Sequence, residues 1–347
     1  MASGCAMRLQ QAGRLNGGSL GPAVASGHQV EASPAERASF DKGINEATAG
    51  LFSQTRKGGR MKTRWKKWGA AFLRLFRPDT RKPLAVLTMV YNEHRMLPLW
   101  ADYYRRQAGA GNIFVLDHGS DALPALPGCE VIPVPRGEVD EIDRCAQVEA
   151  FQKQLLKTYR YVLFTDCDEF LVADPARYSS LLDYVERAPA PSLRCVGVDV
   201  IDYAPDLPPV QWDKPILAQR SYGAVRFWSC KTLLSSVPLT WQPGFHACEE
   251  PAYLDTDLWM FHLKYADQHT LLERLNITRH LRWSERALTL EHGASHRMAD
   301  RTMVNFIRTF QATRSETSLG DLDLAGIINA GAESGLHRIP ERFLKAF

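Results

Sequence analysis

No C-x-x-C pair occurs in the 347-residue sequence, and its seven cysteines (Cys5, Cys129, Cys145, Cys167, Cys195, Cys230, Cys248) are odd in number. A disulfide framework and a cysteine-built zinc site both need paired thiols, so both are excluded and a reducing compartment is favoured. No run of eighteen apolar residues is present, which excludes an obvious membrane-spanning helix. The first fifty residues hold one aromatic, Phe40, and no apolar stretch follows their early arginines, so a secretory signal fits poorly. Wholesale disorder is excluded by the rest of the composition, which is 45% hydrophobic and 23% charged.

What is present is unevenly charged. Residues 56–82 carry eleven Lys/Arg against the single acid Asp79, while 1–55 balance to zero. Of the net charge of +3, this leaves −7 on 83–347. A nucleic-acid-binding protein carries its basic patch on the folded domain. Here the domain is acidic, so no nucleic acid partner is expected. Residues 1–60 read as a disordered extension, with Met61 a sensible alternative start. Over 61–82, Trp65, Trp68, Phe72, Leu75 and Phe76 share one helical face among Lys and Arg, a pattern suited to an anionic membrane surface. Docking of that stripe on the domain is the competing reading. The expected location is cytoplasmic, peripheral on the inner face of the membrane.

From Pro83 onward strands and helices alternate. LAVLTMV (84–90), NIFVLD (112–117), CEVIPVP (129–135) and YRYVLFTD (159–166) read as strands, and 95–107 and 144–158 as helices. Further strands are expected at 194–201 and 226–235, with helices after His262. This is the pattern of an α/β domain with a mainly parallel sheet over 83–300, followed by a helical segment over 301–347. Ligands of such sheets gather at the carboxyl ends of the strands. The sharpest feature there is Asp166-Cys167-Asp168-Glu169-Phe170. Two alternating carboxylates at a strand end can direct oxygens at one divalent cation, Mn2+ or Mg2+, which in turn bridges substrate phosphates. An acidic turn capping a following helix is the alternative. Without a cation such a cluster is expected to repel itself, and Cys167 is expected to point into the sheet.

LTMVYNEHRMLPLWADYYRRQ, IFVLDHGSDA and YVLFTDCDEFL, followed by FWSCKTLL, GFHA and FHLKYAD, resemble glycosyltransferases of the GT-A fold. The likeness is greatest to bacterial family 2 and family 92-like proteins, and it covers about 84–270. It implies a GT-A-like sheet and metal-dependent transfer from a nucleotide-sugar donor, a UDP-sugar foremost, to a glycan or lipid-linked acceptor. It also implies that Asn92, Glu93, Asp117, Ser120 and Asp121 contact the donor nucleotide and that Asp166 and Asp168 hold the metal. His246 and His262 are the candidates for further metal ligands, and Lys231, with Arg226, for neutralising diphosphate. An inverting transfer needs a base, for which Glu250 is the candidate. His118 and Leu263 depart from the family pattern. His292 and His296 are read as surface residues, because Gly293 between them weakens a helix.

Two other classes compete. An inactive transferase fold acting as a membrane-surface binding protein would keep the architecture, but both motif aspartates are present. A D-x-D phosphotransferase would carry its motif on the first strand, whereas at least three strands precede Asp166 here.

Overall fold

From Leu84 to Val90 every side chain is buried, and alternate ones face different cores. Leu84, Val86 and Val90 belong to one apolar cluster, Ala85, Leu87 and Met89 to another. A strand covered on both faces needs such a run, and it marks the centre of a layered α/β sheet. The structure is a computed structural model describing residues 79–347. They fall in the second of the two units of the chain, Met1–Arg77 and Pro78–Phe347. The expected extension over 1–60 and the amphipathic stretch up to residue 78 lie outside the described residues.

The strands are β1 (Lys82–Val90), β2 (Ile113–Asp117), β3 (Cys129–Pro133), β4 (Tyr159–Phe164), β5 (Glu169–Ala173), β6 (Ser192–Val200), β7 (Tyr222–Val225), β8 (Thr232–Ser235), β9 (Tyr253–His262) and β10 (His337–Arg338). They form one mixed sheet in the order β10-β7-β6-β8-β4-β1-β2-β3, with β9 paired to both β5 and β6. The β3-β2-β1-β4 half is parallel. The expected α/β class with a largely parallel centre is therefore present. The helices are α1 (Met96–Ala108), α2 (Glu141–Leu155), α3 (Leu181–Glu186), α4 (Ile216–Gln219), α5 (Gln268–Arg279), α6 (Glu285–Thr289), α7 (Asp300–Gln311) and α8 (Leu324–Asn329).

Two readings are corrected. Of the strand expected over 226–235 only Thr232–Ser235 forms, as β8, while β7 ends before it at Val225; both pair with β6. Residues 226–231 between them loop tightly over Gly197, where a Cβ would lie 2.0 Å from the Ser229 carbonyl oxygen. Second, the acidic motif leads into β5 and not into a helix, so the capping alternative has nothing to cap. Residues 301–347, expected as a helical segment, hold most of α7 and all of α8 and lie in the same unit as 83–300. β10 pairs with β7, and Phe343 and Phe347 lie in the main core. Phe343 is fully buried, its ring centroid 4.9 Å from Trp259 and 5.3 Å from Phe261. Phe343→Ala should therefore lower unfolding free energy by about 3–5 kcal/mol in urea titrations, a loss that a loosely attached segment would not show.

Among the described residues no helix is long and apolar enough to cross a membrane. The six described cysteines are free thiols.

Candidate functional site

Parallel pairing puts the ends of β1, β2 and β4 on one side of the sheet, and the pairing of β5, β9 and β6 brings more polar residues there. Glu169 lies opposite His262, and His262 opposite Asp199, in one row across the three strands. Asp166 and Asp168 occupy the turn just before Glu169. Helix α1 fixes that turn from beneath. Trp100 Nε1 donates to Thr165 Oγ1 at 2.8 Å, Tyr104 Oη donates to the Glu169 carbonyl at 3.0 Å, and Tyr103 Oη to the Leu171 carbonyl at 2.7 Å. The aromatic stripe of α1, legible as helix periodicity, thus also sets the height of the acidic motif above the sheet.

Asp166, Asp168, Asp199 and His262 line a cavity of about 1140 Å³. Of the expected site residues, Asn92, Glu93, Asp166, Asp168, Lys231, His246 and His262 line it. Arg226 does too, and so does His118, whose imidazole burial pushes down to about 4. Asp117, Ser120 and Asp121 do not line the cavity and instead brace Asn92. The Asn92 N–H donates to Ser120 Oγ at 2.9 Å, its side-chain amide donates to Asp121 at 2.7 Å, and the Ser120 N–H donates to Asp117 at 2.9 Å. Asn92 adopts φ 45°, left-handed backbone that asparagine tolerates better than most residues. The loops after β1 and β2 are so joined into one wall. Glu93 is occupied as well: its Oε1 accepts the backbone N–H groups of Arg95 and Met96 at the start of α1.

Glu250 is not brought in. Its carboxylate accepts from the Thr240 N–H at 2.8 Å and from Thr240 Oγ1 at 3.0 Å, closing the 240–250 loop, and it does not line the cavity. Cys167 lies in the turn, packing on the main core while bordering the cavity. His292 and His296, expected on the surface, both line the cavity instead. Gly293 has φ 64°, and a Cβ there would lie 2.5 Å from the Trp283 ring, so the glycine makes room for that tryptophan against the cavity wall.

The acidic turn does not repel itself, contrary to expectation, because cations surround it. Lys231 Nζ lies 2.5 Å from Glu169 Oε1 and 3.6 Å from Asp166 Oδ2. Arg144, on α2, is 3.2 Å from Asp166 Oδ1. Burial opposes the charge on Lys231, yet Glu169 and Asp166 hold its ammonium above the ordinary lysine range. Burial pushes the Glu169 carboxyl up against the pull of Lys231. Seven lysine and arginine side chains line the cavity: Arg95, Arg136, Arg144, Arg226, Lys231, Lys264 and Arg274. Composition hid them, since the body as a whole is acidic. Arg144 and Glu169 were missed as site residues, because a basic residue one turn into a helix and the glutamate following D-x-D carry no spacing signal.

His262 joins two carboxylates. Its Nδ1 is 2.8 Å from Asp199 Oδ1 and its Nε2 3.6 Å from Asp168 Oδ2. Burial works against the charged ring, but Asp168 and Asp199 raise it to about 10. The folded-state value exceeds that of a free imidazole, about 6.5. The stabilisation is therefore complete below that pH and fades as pH rises through about 10. Unfolding free energy should fall by at most about 1.4 kcal/mol per pH unit across that window, a slope that His262→Gln should abolish in urea titrations.

The donor chemistry suits a hard divalent cation. Asp199 holds His262 by Nδ1, which leaves Nε2 facing Asp168, the arrangement common for metal-bound imidazoles, in which a carboxylate steadies the far ring nitrogen. His246 is neutral, pushed down to about 4 by burial and by Lys231. Its Nδ1 is 2.9 Å from the Trp228 carbonyl, so it donates there and Nε2 keeps the lone pair. Among the described residues no three His, Cys, Asp or Glu side chains are gathered closely enough to ligate an ion by themselves. Mg2+ does not demand this, because it is commonly held by one or two carboxylates with substrate phosphates and water completing the shell.

Compared with family models, the chain matches none. A comparison with curated proteins also gives no match.

Proposed function

We propose that the protein is a GT-A-type glycosyltransferase that moves a sugar from a nucleotide-sugar donor, a UDP-sugar foremost, to a glycan or lipid-linked acceptor. The observation that carries this reading is the convergence of three loops on one cavity. The braced loops after β1 and β2 form one wall, and the Asp166–Asp168 turn after β4 forms the floor. A cavity of about 1140 Å³ has room for a ligand well above the size of a simple sugar. Its mixed lining suits a diphosphate next to polar hydroxyls, with cations for the phosphates and carboxylates for the rest.

Asp166 and Asp168 would hold Mn2+ or Mg2+, with Nε2 of neutral His246, and Nε2 of His262 after loss of its proton, as the neighbouring nitrogen donors. Bound there, the ion supplies charge neutralisation for the diphosphate and for its departure. Lys231 and Arg144 contribute fixed positive charge beside Asp166. Asp199 orients His262, and the α1 aromatics hold the motif in place. Tyr91, with Arg136 stacked 3.4 Å from its ring centroid, presents a flat aromatic-cationic face on the β1 side of the cavity.

Calorimetric titration with UDP-, GDP- and CMP-sugars, with and without Mn2+, tests the reading. The expected result is UDP-sugar binding strengthened at least about tenfold by Mn2+, with slow metal-dependent release of UDP. Absence of binding by all three donors in both conditions would remove the proposal.

A further inference from the structure

Of the seven lysine and arginine side chains that line the cavity, six are already engaged. Arg95, Arg144, Arg226, Lys231 and Arg274 each have a carboxylate oxygen within 3.5 Å, and Arg136 is stacked on Tyr91. Lys264 is the exception. Its polar contacts among the described residues are the Ser295 hydroxyl, 3.3 Å from Nζ, and the Tyr265 ring, with the centroid 5.6 Å away. The carboxylates whose charge reaches it, Asp168 and Asp199, are both turned to His262, at 3.6 Å and 2.8 Å. Lysine is rarely buried unpaired, so an ammonium left over in a cavity wall points to an anion supplied by a ligand.

The neighbouring residues add donors and no acceptor of their own. Ser295 Oγ accepts from Nζ, which leaves its hydroxyl proton free to donate. His296, next in the chain, also lines the cavity, and its ring makes no hydrogen bond among the described residues. Burial and the Lys264 ammonium keep that imidazole neutral, so it carries one N–H. The segment is held in place: the His296 ring stacks on Trp283 at 6.3 Å between centroids, and Thr278 Oγ1 donates to the His296 carbonyl at 2.8 Å. Ammonium, hydroxyl and imidazole thus bring unused protons to one stretch of wall. A planar carboxylate is matched best by the fork of an arginine, whereas a point-charge ammonium with donors on separate side chains suits the tetrahedral oxygens of phosphate.

This stretch is distinct from the cations that hold the motif. Lys231 and Arg144 flank Asp166. The Leu263 N–H donates to the Asp168 carbonyl at 2.8 Å, which sets Lys264 on the Asp168 side of the turn. We infer that Lys264, Ser295 and His296 form a phosphate seat on that side, one that holds a phosphate group without a metal. Two sources can supply the group: the diphosphate of a donor bound at the turn, or a phosphate on a second substrate. The seat stands on the cavity wall and not on the transfer reading.

The test is amine labelling of the metal-free full chain with a sulfonated succinimidyl ester, read at Lys264 by peptide mass spectrometry. Inorganic phosphate should slow labelling of Lys264 at least about tenfold against chloride of equal ionic strength, and leave the exposed Lys345 unchanged. Ser295→Ala keeps the lysine as reporter and should raise the phosphate concentration needed for protection at least about fivefold. Labelling with UDP and Mg2+ then separates the sources. Protection by UDP that added phosphate does not increase assigns the seat to the donor. Phosphate-dependent protection that persists in saturating UDP and Mg2+ assigns it to a second substrate. Labelling of Lys264 at the same rate in phosphate and in chloride overturns the inference. So does equal protection by acetate, or a phosphate titration that Ser295→Ala leaves unchanged. UDP that fails to bind while phosphate still protects Lys264 counts against the transfer reading alone.

Discussion

Asp168→Asn is expected to reduce sugar transfer on the order of a hundredfold or more, the scale of removing one strong electrostatic stabiliser from a reacting centre. The substitution keeps shape and hydrogen-bonding capacity but deletes a charge, so it tests electrostatics and not packing. Donor affinity measured with Mn2+ should fall alongside turnover, because the same carboxylate serves both. The variant should also be less stable. Despite the burial that would raise it, the Asp168 carboxyl is held below the usual carboxylate range by His262. Deleting it leaves the buried imidazolium with Asp199 alone, 2.8 Å from Nδ1. A loss of about 1–3 kcal/mol is expected in urea titrations at neutral pH. The pH slope assigned to His262 should shrink with it, since one of the two carboxylates raising that ring is gone. Full metal-dependent transfer by the Asn variant would sink the assignment of Asp168 as the cation's holder.

That expectation reverses what the acidic motif alone implies, and the reversal shows where sequence stops being informative. The strand at 84–90, the helix with Trp100, Tyr103 and Tyr104 on one face, and the acidic turn after the fourth strand are all local patterns. Their physical cause lies within a dozen residues, so the order of residue types is enough to read them. The residues that neutralise the turn come from far away: Arg144 from α2, Lys231 from the 226–231 loop, and His262 from β9, itself held by Asp199 of β6. Nothing local in a lone lysine or arginine says which carboxylate it will meet. β5 and β9 are hidden in the sequence for a related reason, since EFLVA looks like the tail of the motif and YLDTDLWMFH mixes polar and apolar residues without a clean period. Glu250, four residues from His246 in sequence, does not line the cavity that His246 lines. The 240–250 loop turns its carboxylate onto Thr240. His292 and His296 depart in the opposite direction, because Gly293 breaks a helix but here accommodates Trp283 at the cavity wall.

Lys231→Met should give the largest stability loss among the site substitutions. Lys231 and Glu169 are 4% and 1% exposed and 2.5 Å apart, so removing the ammonium leaves a buried carboxylate with another, Asp166, close by. Breaking a buried pair from one side costs about 3–5 kcal/mol, more than the pair itself contributes, because the remaining charge has lost its solvent and its partner. Methionine fills a similar volume, so the loss would be electrostatic and not a cavity. A second substitution separates stability from function. Glu169→Gln removes the stranded charge and keeps an oxygen to accept the Asp166 N–H, which now donates to Glu169 Oε2 at 3.2 Å. The double variant Lys231→Met/Glu169→Gln should recover to within about 1–2 kcal/mol of the wild type, as neutral replacements of buried pairs commonly do. Its affinity for a nucleoside diphosphate should stay low, because the fixed positive charge beside Asp166 is still missing. If the double variant regains both stability and diphosphate affinity, Lys231 serves only the fold. If Lys231→Met alone is as stable as wild type, the ion pair does not balance the turn, and the electrostatic account of the acidic motif fails with it.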